Sequence, residues 1–149
     1  MAVDMSGEER IEAPLEKVWE GLNDPVVLKA CIPGCESLEK TDTGLAATVV
    51  LKIGPIKATF DGAVELRNLN PPHSYTIQGE GKGGIAGFAK GGADVTLAAD
   101  GADATILTYT AKADVGGKIA QLGSRLIQST SKKLAAQFFS DFNKAMSNG

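Results

Sequence analysis

The sequence has 149 residues, 43 % hydrophobic and 22 % charged, a size and composition that fit one globular domain across residues 1–149 and exclude a disordered chain. No run approaches the 18 consecutive apolar residues of a membrane-spanning helix, and the acidic start (Asp4, Glu8, Glu9) lacks the basic and apolar pattern of a secretory signal. A cytoplasmic protein with reduced Cys31 and Cys35 is expected. The net charge of −3 divides into +4 from Lys112 onward and −7 before it, a basic end that could face anionic lipid or an acidic protein as well as plain solvent.

The opening segment through Ile11 reads as a strand, with Val3, Met5 and Ile11 on one parity. Pro14 suits the first turn of a helix, to which Val18, Trp19 and Leu22 give an apolar face. Asp24-Pro25 pairs an N-cap with a first-position proline and starts a second short helix, which Pro33-Gly34 ends. A strand from Leu45 to Ile53 turns at Gly54-Pro55. The next strand alternates: Ile56, Ala58, Phe60, Gly62, Val64 and Leu66 point one way, and Lys57, Thr59, Asp61, Ala63, Glu65 and Arg67 the other. Such a period of two describes a sheet with one buried and one wet face. Further strands are predicted from Tyr75 to Gly79, Ala93 to Ala99 and Thr105 to Val115.

From Gly117 the period becomes helical. Ile119, Leu122, Leu126, Ile127, Thr130, Leu134, Phe138 and Phe142 recur at steps of three and four, which predicts one helix to about Met146, roughly 45 Å long at 1.5 Å per residue. The fold class is therefore α+β: a curved antiparallel sheet of about seven strands around a long C-terminal helix, with two short helices after the first strand.

Several stretches carry a family resemblance. They are Ala13-Pro14-Leu15-Glu16-Lys17-Val18-Trp19, Cys31-Ile32-Pro33-Gly34-Cys35-Glu36, Gly54-Pro55-Ile56-Lys57-Ala58, the glycine-rich run to Phe88, and Val115-Gly116-Gly117-Lys118-Ile119-Ala120-Gln121-Leu122-Gly123. Together they resemble the CoxG family of carbon-monoxide dehydrogenase subunits, within the START and polyketide-cyclase-like helix-grip domains. The resemblance implies an accessory role beside a molybdenum hydroxylase of the carbon-monoxide dehydrogenase class, recruitment of that enzyme to the membrane, and a bound quinone in the grip cavity. Many members carry a membrane-associating extension after the domain. This sequence ends at Gly149, so membrane contact at the inner face is expected to be transient.

The residues offer little for catalysis. Two cysteines separated by Ile32, Pro33 and Gly34, with His73 the one histidine, do not make a four-ligand zinc set or a Cys-x-x-Cys redox pair, so no metal is expected. A Ser or Cys nucleophile needs an oriented base, and His73 follows Pro71-Pro72 in a turn. The glycine-rich stretch from Gly79 to Gly92 lies between strands, unlike a phosphate loop. It reads either as a mobile rim over a cavity or as close backbone packing. No covalent cofactor and no nucleic-acid partner are expected.

Only 5 % of the residues are aromatic and 18 are glycine, little material for plugging an interior. Ala47, Ala58, Gly62 and Gly79 occupy parities where a packed core prefers larger side chains. An unfilled interior of about 500 Å³ would forgo roughly 12 kcal/mol by extrapolation from core cavities. Patterning alone leaves two readings, a pocket or a space filled by Trp19, Phe60, Phe88 and Phe138, and the resemblance favours the pocket. Trp19, Leu28, Ile32, Phe60, Tyr75, Phe88, Tyr109, Leu122 and Leu126 are its candidate walls, with Tyr75 and Tyr109 as donors to a ring carbonyl. The expected function is non-catalytic carriage of a quinone- or prenyl-lipid-like molecule. An adaptor docking through Lys132 and Lys133 or the Cys31–Cys35 loop, and a cyclase or hydrolase, are the alternatives.

Overall fold

The computed structural model describes residues 1–147. Strand β1 (Ala2–Ile11) opens the chain, its odd-numbered residues more buried than their neighbours. Two short helices follow, α1 (Leu15–Leu22) and α2 (Pro25–Cys31). Pro14 stands just ahead of α1 rather than inside its first turn. Asp24 caps α2, its carboxylate accepting the Val26 N–H at 2.9 Å. Then come β2 (Cys35–Lys40), β3 (Gly44–Ile53), β4 (Ile56–Asn70), β5 (Ser74–Lys82), β6 (Phe88–Ala99) and β7 (Thr105–Gly116). All seven form one antiparallel sheet ordered β1-β7-β6-β5-β4-β3-β2. The alternation read from Ile56 onward holds, with Lys57, Thr59, Asp61 and Ala63 exposed between more buried neighbours.

Two expectations need correction. The last helix does not run unbroken from Gly117: residues Lys118–Leu122 form a 3-10 turn, and helix α3 occupies Ser124–Ser147. Gly117 and Gly123 flank the turn with φ of 82° and 95°, a backbone region that an α-helix cannot use and that glycine enters freely. The apolar spacing carries on across this break, which hides it from a periodicity count. At 24 residues α3 spans about 36 Å. The glycine-rich stretch is also mostly sheet rather than rim, since β5 continues to Lys82, β6 begins at Phe88, and only Gly84–Ala86 form a 3-10 turn.

Close backbone packing accounts for two of those glycines. Gly79 and Gly91 are partners across β5 and β6. A side chain at Gly79 would run into the Ala63 carbonyl of β4, and one at Gly91 into the Lys112 carbonyl of β7. Four neighbouring strands therefore coil together along a line that tolerates no Cβ.

Helix α3 is tied to the edge of the sheet. The Gln128 side-chain amide donates to the Asp4 carbonyl (2.9 Å), and fifteen residues later Asn143 donates to the Arg10 carbonyl (3.1 Å) while accepting the Glu12 N–H (3.0 Å). These bonds lay the helix along β1 and occupy carbonyls that an edge strand would leave open. At the far end Gly21 of α1 lies close under Met146 and Phe142, and Lys17 Nζ donates to the Met146 carbonyl at 2.5 Å, satisfying an orphan acceptor in the last turn of the helix.

Gly79→Val is expected to lower the thermal midpoint by about 3–10 °C, the effect of 1–3 kcal/mol of overpacking on a domain this size. Gly81→Val, where nothing lies within 4 Å of an added Cβ, is expected to leave it nearly unchanged. Calorimetry of the two variants distinguishes a backbone constraint from a general cost of losing glycine.

Candidate functional site

The interior has two packed ends. At one, Ile11, Val18, Leu22, Tyr75, Leu97, Leu107, Phe142 and Met146 form a core with Trp19, Tyr109, Phe138 and Phe139 packed against it. At the other, Val3, Ile53, Phe60, Val115, Ile119 and Ile127 form a second core. Six of the eight aromatic side chains belong to the first end. Trp19 meets Tyr75 edge to face at 5.4 Å, Tyr109 stacks on Phe139 at 5.4 Å, and Phe138 contacts both Phe139 and Phe142. The rings are concentrated there and leave the middle of the sheet unfilled.

The middle holds two adjoining hollows. One, of about 340 Å³, lies between β3, β4, the Ile32-Pro33 connection after α2, and Leu134 of α3. The other, of about 350 Å³, lies over β4 to β7 and reaches Val3 and Met5 of β1 and Ser131 of α3. Gly62, Gly81 and Ala89 border both. Inward positions along these strands (Gly79, Gly91, Ala111 and Ala113) carry almost no side chain. Glu80, Lys90 and Lys112 alternate with them and so belong to the outer face. The hollow has an apolar lining and a single hydroxyl from α3, at Ser131. Such a site can hold a molecule by burying its surface and offers no paired acid and base. Among the described residues no three His, Cys, Asp or Glu gather to hold a metal.

Of the candidate walls, Ile32 and Phe60 lie in the hollow. Trp19, Tyr75 and Tyr109 belong to the aromatic end, and Leu28 is buried in α2. Leu122 packs on the second core, Leu126 lies beside Gly54 in the β3–β4 turn, and Phe88 is 38 % exposed next to Gly116. The structure thus does not bring the two tyrosines to one wall of the hollow. Residues the sequence reading did not single out as walls include Val49, Leu51, Ile119 and Leu134. Strand parity and the helical repeat contained them, but side-chain size drew attention elsewhere.

Burial pushes the Tyr75 hydroxyl well above the ordinary tyrosine range, because the phenolate would lose its hydration. Burial first, and the nearby Glu9 carboxylate second, raise that of Tyr109. Desolvation chiefly, with a contribution from Asp141, raises the Cys31 thiol, so Cys31 is not primed as a nucleophile.

A curved antiparallel sheet closed by a long final helix, with a hollow beneath, defines the helix-grip class of START-like domains. The chain belongs to the CoxG family of carbon monoxide dehydrogenase subunits, whose model matches residues 7–147. A conserved protein from Geobacillus kaustophilus is 32 % identical, with 98 % of this chain and 96 % of that one covered and a TM-score of 0.92. At the level of fold alone, a START superfamily protein from Mycobacterium smegmatis aligns at 11 % identity, covering 97 % of each chain with a TM-score of 0.72. The ZhuI aromatase/cyclase from Streptomyces sp. R1128 aligns at 12 % identity, over 98 % of this chain and 94 % of that one with a TM-score of 0.71. No curated protein matches the chain. No helix among the described residues is long and apolar enough to cross a membrane.

Because Tyr75 stays protonated in the folded state beyond the pH at which an unfolded chain ionises it, its contribution to stability is complete below about pH 10 and declines above that. The alkaline limb of the stability profile is expected to fall by up to about 1.4 kcal/mol per pH unit. Tyr75→Phe should flatten that limb in denaturant titrations between pH 9 and 12.

Proposed function

We propose that this chain is a non-catalytic carrier for an apolar molecule of the quinone or prenyl-lipid type, serving a carbon-monoxide dehydrogenase or related molybdenum hydroxylase. The observation that carries the reading is the unfilled middle of the grip, bordered by Gly62, Gly81 and Ala89 and flanked by two packed ends. Void space in a core costs on the order of 24 cal/mol per Å³, whereas each methylene buried by a ligand contributes about 0.8 kcal/mol. A prenyl chain gains affinity there without any reactive side chain.

Membership of a family described as part of a dehydrogenase supports the accessory role and the choice of partner. The cyclase among the structural neighbours shares the fold at 12 % identity, and fold alone does not transfer an activity. The polar chemistry lining the hollow argues against acid–base catalysis, since Ser131 is the inward polar side chain there and the inward tyrosines of β5 and β7, Tyr75 and Tyr109, belong to the aromatic end.

Gly81→Phe is the direct test, because this position borders both hollows and an added Cβ meets nothing within 4 Å. The variant is expected to keep its thermal midpoint and to bind a water-soluble short-chain quinone at least about tenfold more weakly, as read by fluorescence titration. Native mass spectrometry of the protein from its host should show an apolar lipid that the variant lacks. Unchanged quinone binding by a folded Gly81→Phe protein, or a consistently empty wild-type protein, would overturn the carrier reading.

A further inference from the structure

We infer that two copies of this chain associate through the open edge of the sheet, β2 pairing antiparallel with β2 of the second copy about a two-fold axis at Leu38. The sheet order makes β1 and β2 its two edges. The β1 edge is closed, because Gln128 and Asn143 of α3 bond to the Asp4 and Arg10 carbonyls and to the Glu12 N–H. Among the described residues no helix side chain does the same for β2, where Glu36, Ser37, Glu39 and Lys40 are all exposed. A copy docking edge to edge therefore meets the same edge of its partner, which gives a closed pair and no filament.

The backbone ladder sets which groups are free. Thr41 N–H donates to the Gly44 carbonyl at 2.9 Å, and Glu39 and Ser37 lie opposite Ala46 and Thr48. Alternation along an antiparallel pair then directs the N–H and C=O of Ser37 and Glu39 to β3, and those of Leu38 and Lys40 away from the sheet. Leu38 lies across from Ala47, a wall of the hollow, so its half-buried side chain belongs to the inner face. A two-fold axis at Leu38 pairs these free groups, keeps both inner faces on one side and sets the two Leu38 side chains against each other. The same register places Glu36 of each copy, at the bulge that precedes Ser37, opposite Lys40 of the other.

Charge selects both the occupant and the register. Charged side chains on an edge ordinarily keep other strands away. Here Glu36, Glu39 and Lys40 have no ion-pair partner among the described residues, and their order is self-complementary. Centring the axis on Glu39 would set that carboxylate against its own copy, and centring it on Ser37 would set Glu36 against Leu38 and leave Lys40 without a carboxylate. A slip of the partner by one residue would turn its inner face outward. The Leu38 register forms two opposite-charge pairs at once. A uniformly acidic or basic strand would satisfy one sign and repel the other, whereas a second copy satisfies both. This association does not rest on the carrier reading.

The test is sedimentation velocity of the whole protein up to about 1 mM, because a contact of one short strand per copy is small and its association weak. Wild-type protein should show a reversible monomer–dimer equilibrium. Glu36→Lys and Lys40→Glu each turn both symmetric pairs into like charges, and each should weaken self-association by about tenfold or more. An equal mixture of the two variants should dimerise as strongly as the wild type, and so should Glu36→Lys/Lys40→Glu. Both positions are exposed, so the thermal midpoints should not move. In the proposed dimer Leu38→Cys sets two thiols opposite each other with Cα atoms about 5.5 Å apart, within disulfide reach, and oxidation should cross-link it. Native Cys35 would lie about 20 Å from its own copy and should stay unlinked. A monomer at every concentration, a mixture no more associated than either variant alone, or linkage through Cys35 in preference to Leu38→Cys would overturn the inference. None of these readouts depends on what the hollow binds.

Discussion

The architecture depends on how α3 is held away from the centre of the sheet. Its two amide contacts, Gln128 to the Asp4 carbonyl and Asn143 to the Arg10 carbonyl, fix it along the β1 edge over most of its length. Side chains at both ends of the domain then wedge between helix and sheet. Across the intervening span the strands present glycine and alanine, and the helix contributes Ser131 and Leu134. With its ends fixed the helix cannot settle onto the small residues, so the separation persists where a freely packing helix would close it.

Much of this plan was legible from the chain. The alternation of Ile56 to Val64, the Asp24-Pro25 helix start and the covering helix follow from periodicity and capping, which act over a few neighbouring residues. Two features did not, and for related reasons. The break at Gly123 is a backbone conformation inside an uninterrupted apolar repeat, so no gap in hydrophobicity marks it. The strands through Gly79 to Lys82 and Phe88 to Gly92 use a residue type that is depleted in sheets, because what selects it is another strand's carbonyl distant in sequence.

The site was harder to read than the fold, and Trp19 shows why. Choosing wall residues by size favours rings, yet large rings are the groups that fill space. Trp19 and Tyr75 pack against each other, while the hollow lies where rings are missing. Ile32 and Phe60 do border it, Phe60 because its strand parity points inward and Ile32 because the turn after α2 delivers it there. A hollow is better sought in runs of inward Gly and Ala between larger residues than in the larger residues themselves. A hollow lined in this way would distinguish the proposed ligands mainly by girth and length, with little hydrogen-bond discrimination of the kind that separates close isosteres.

The division of the interior into two cores has a mechanical consequence. Among the described residues the two clusters share no member, and even the half-buried side chains flanking each are different sets. Loosening at one extremity therefore does not run through a buried cluster shared with the other, while the hydrogen-bonded ladder and α3 span both. Each end can thus loosen while the other keeps its shape, and on the proposed carrier reading entry and exit of a molecule need not disturb the whole domain.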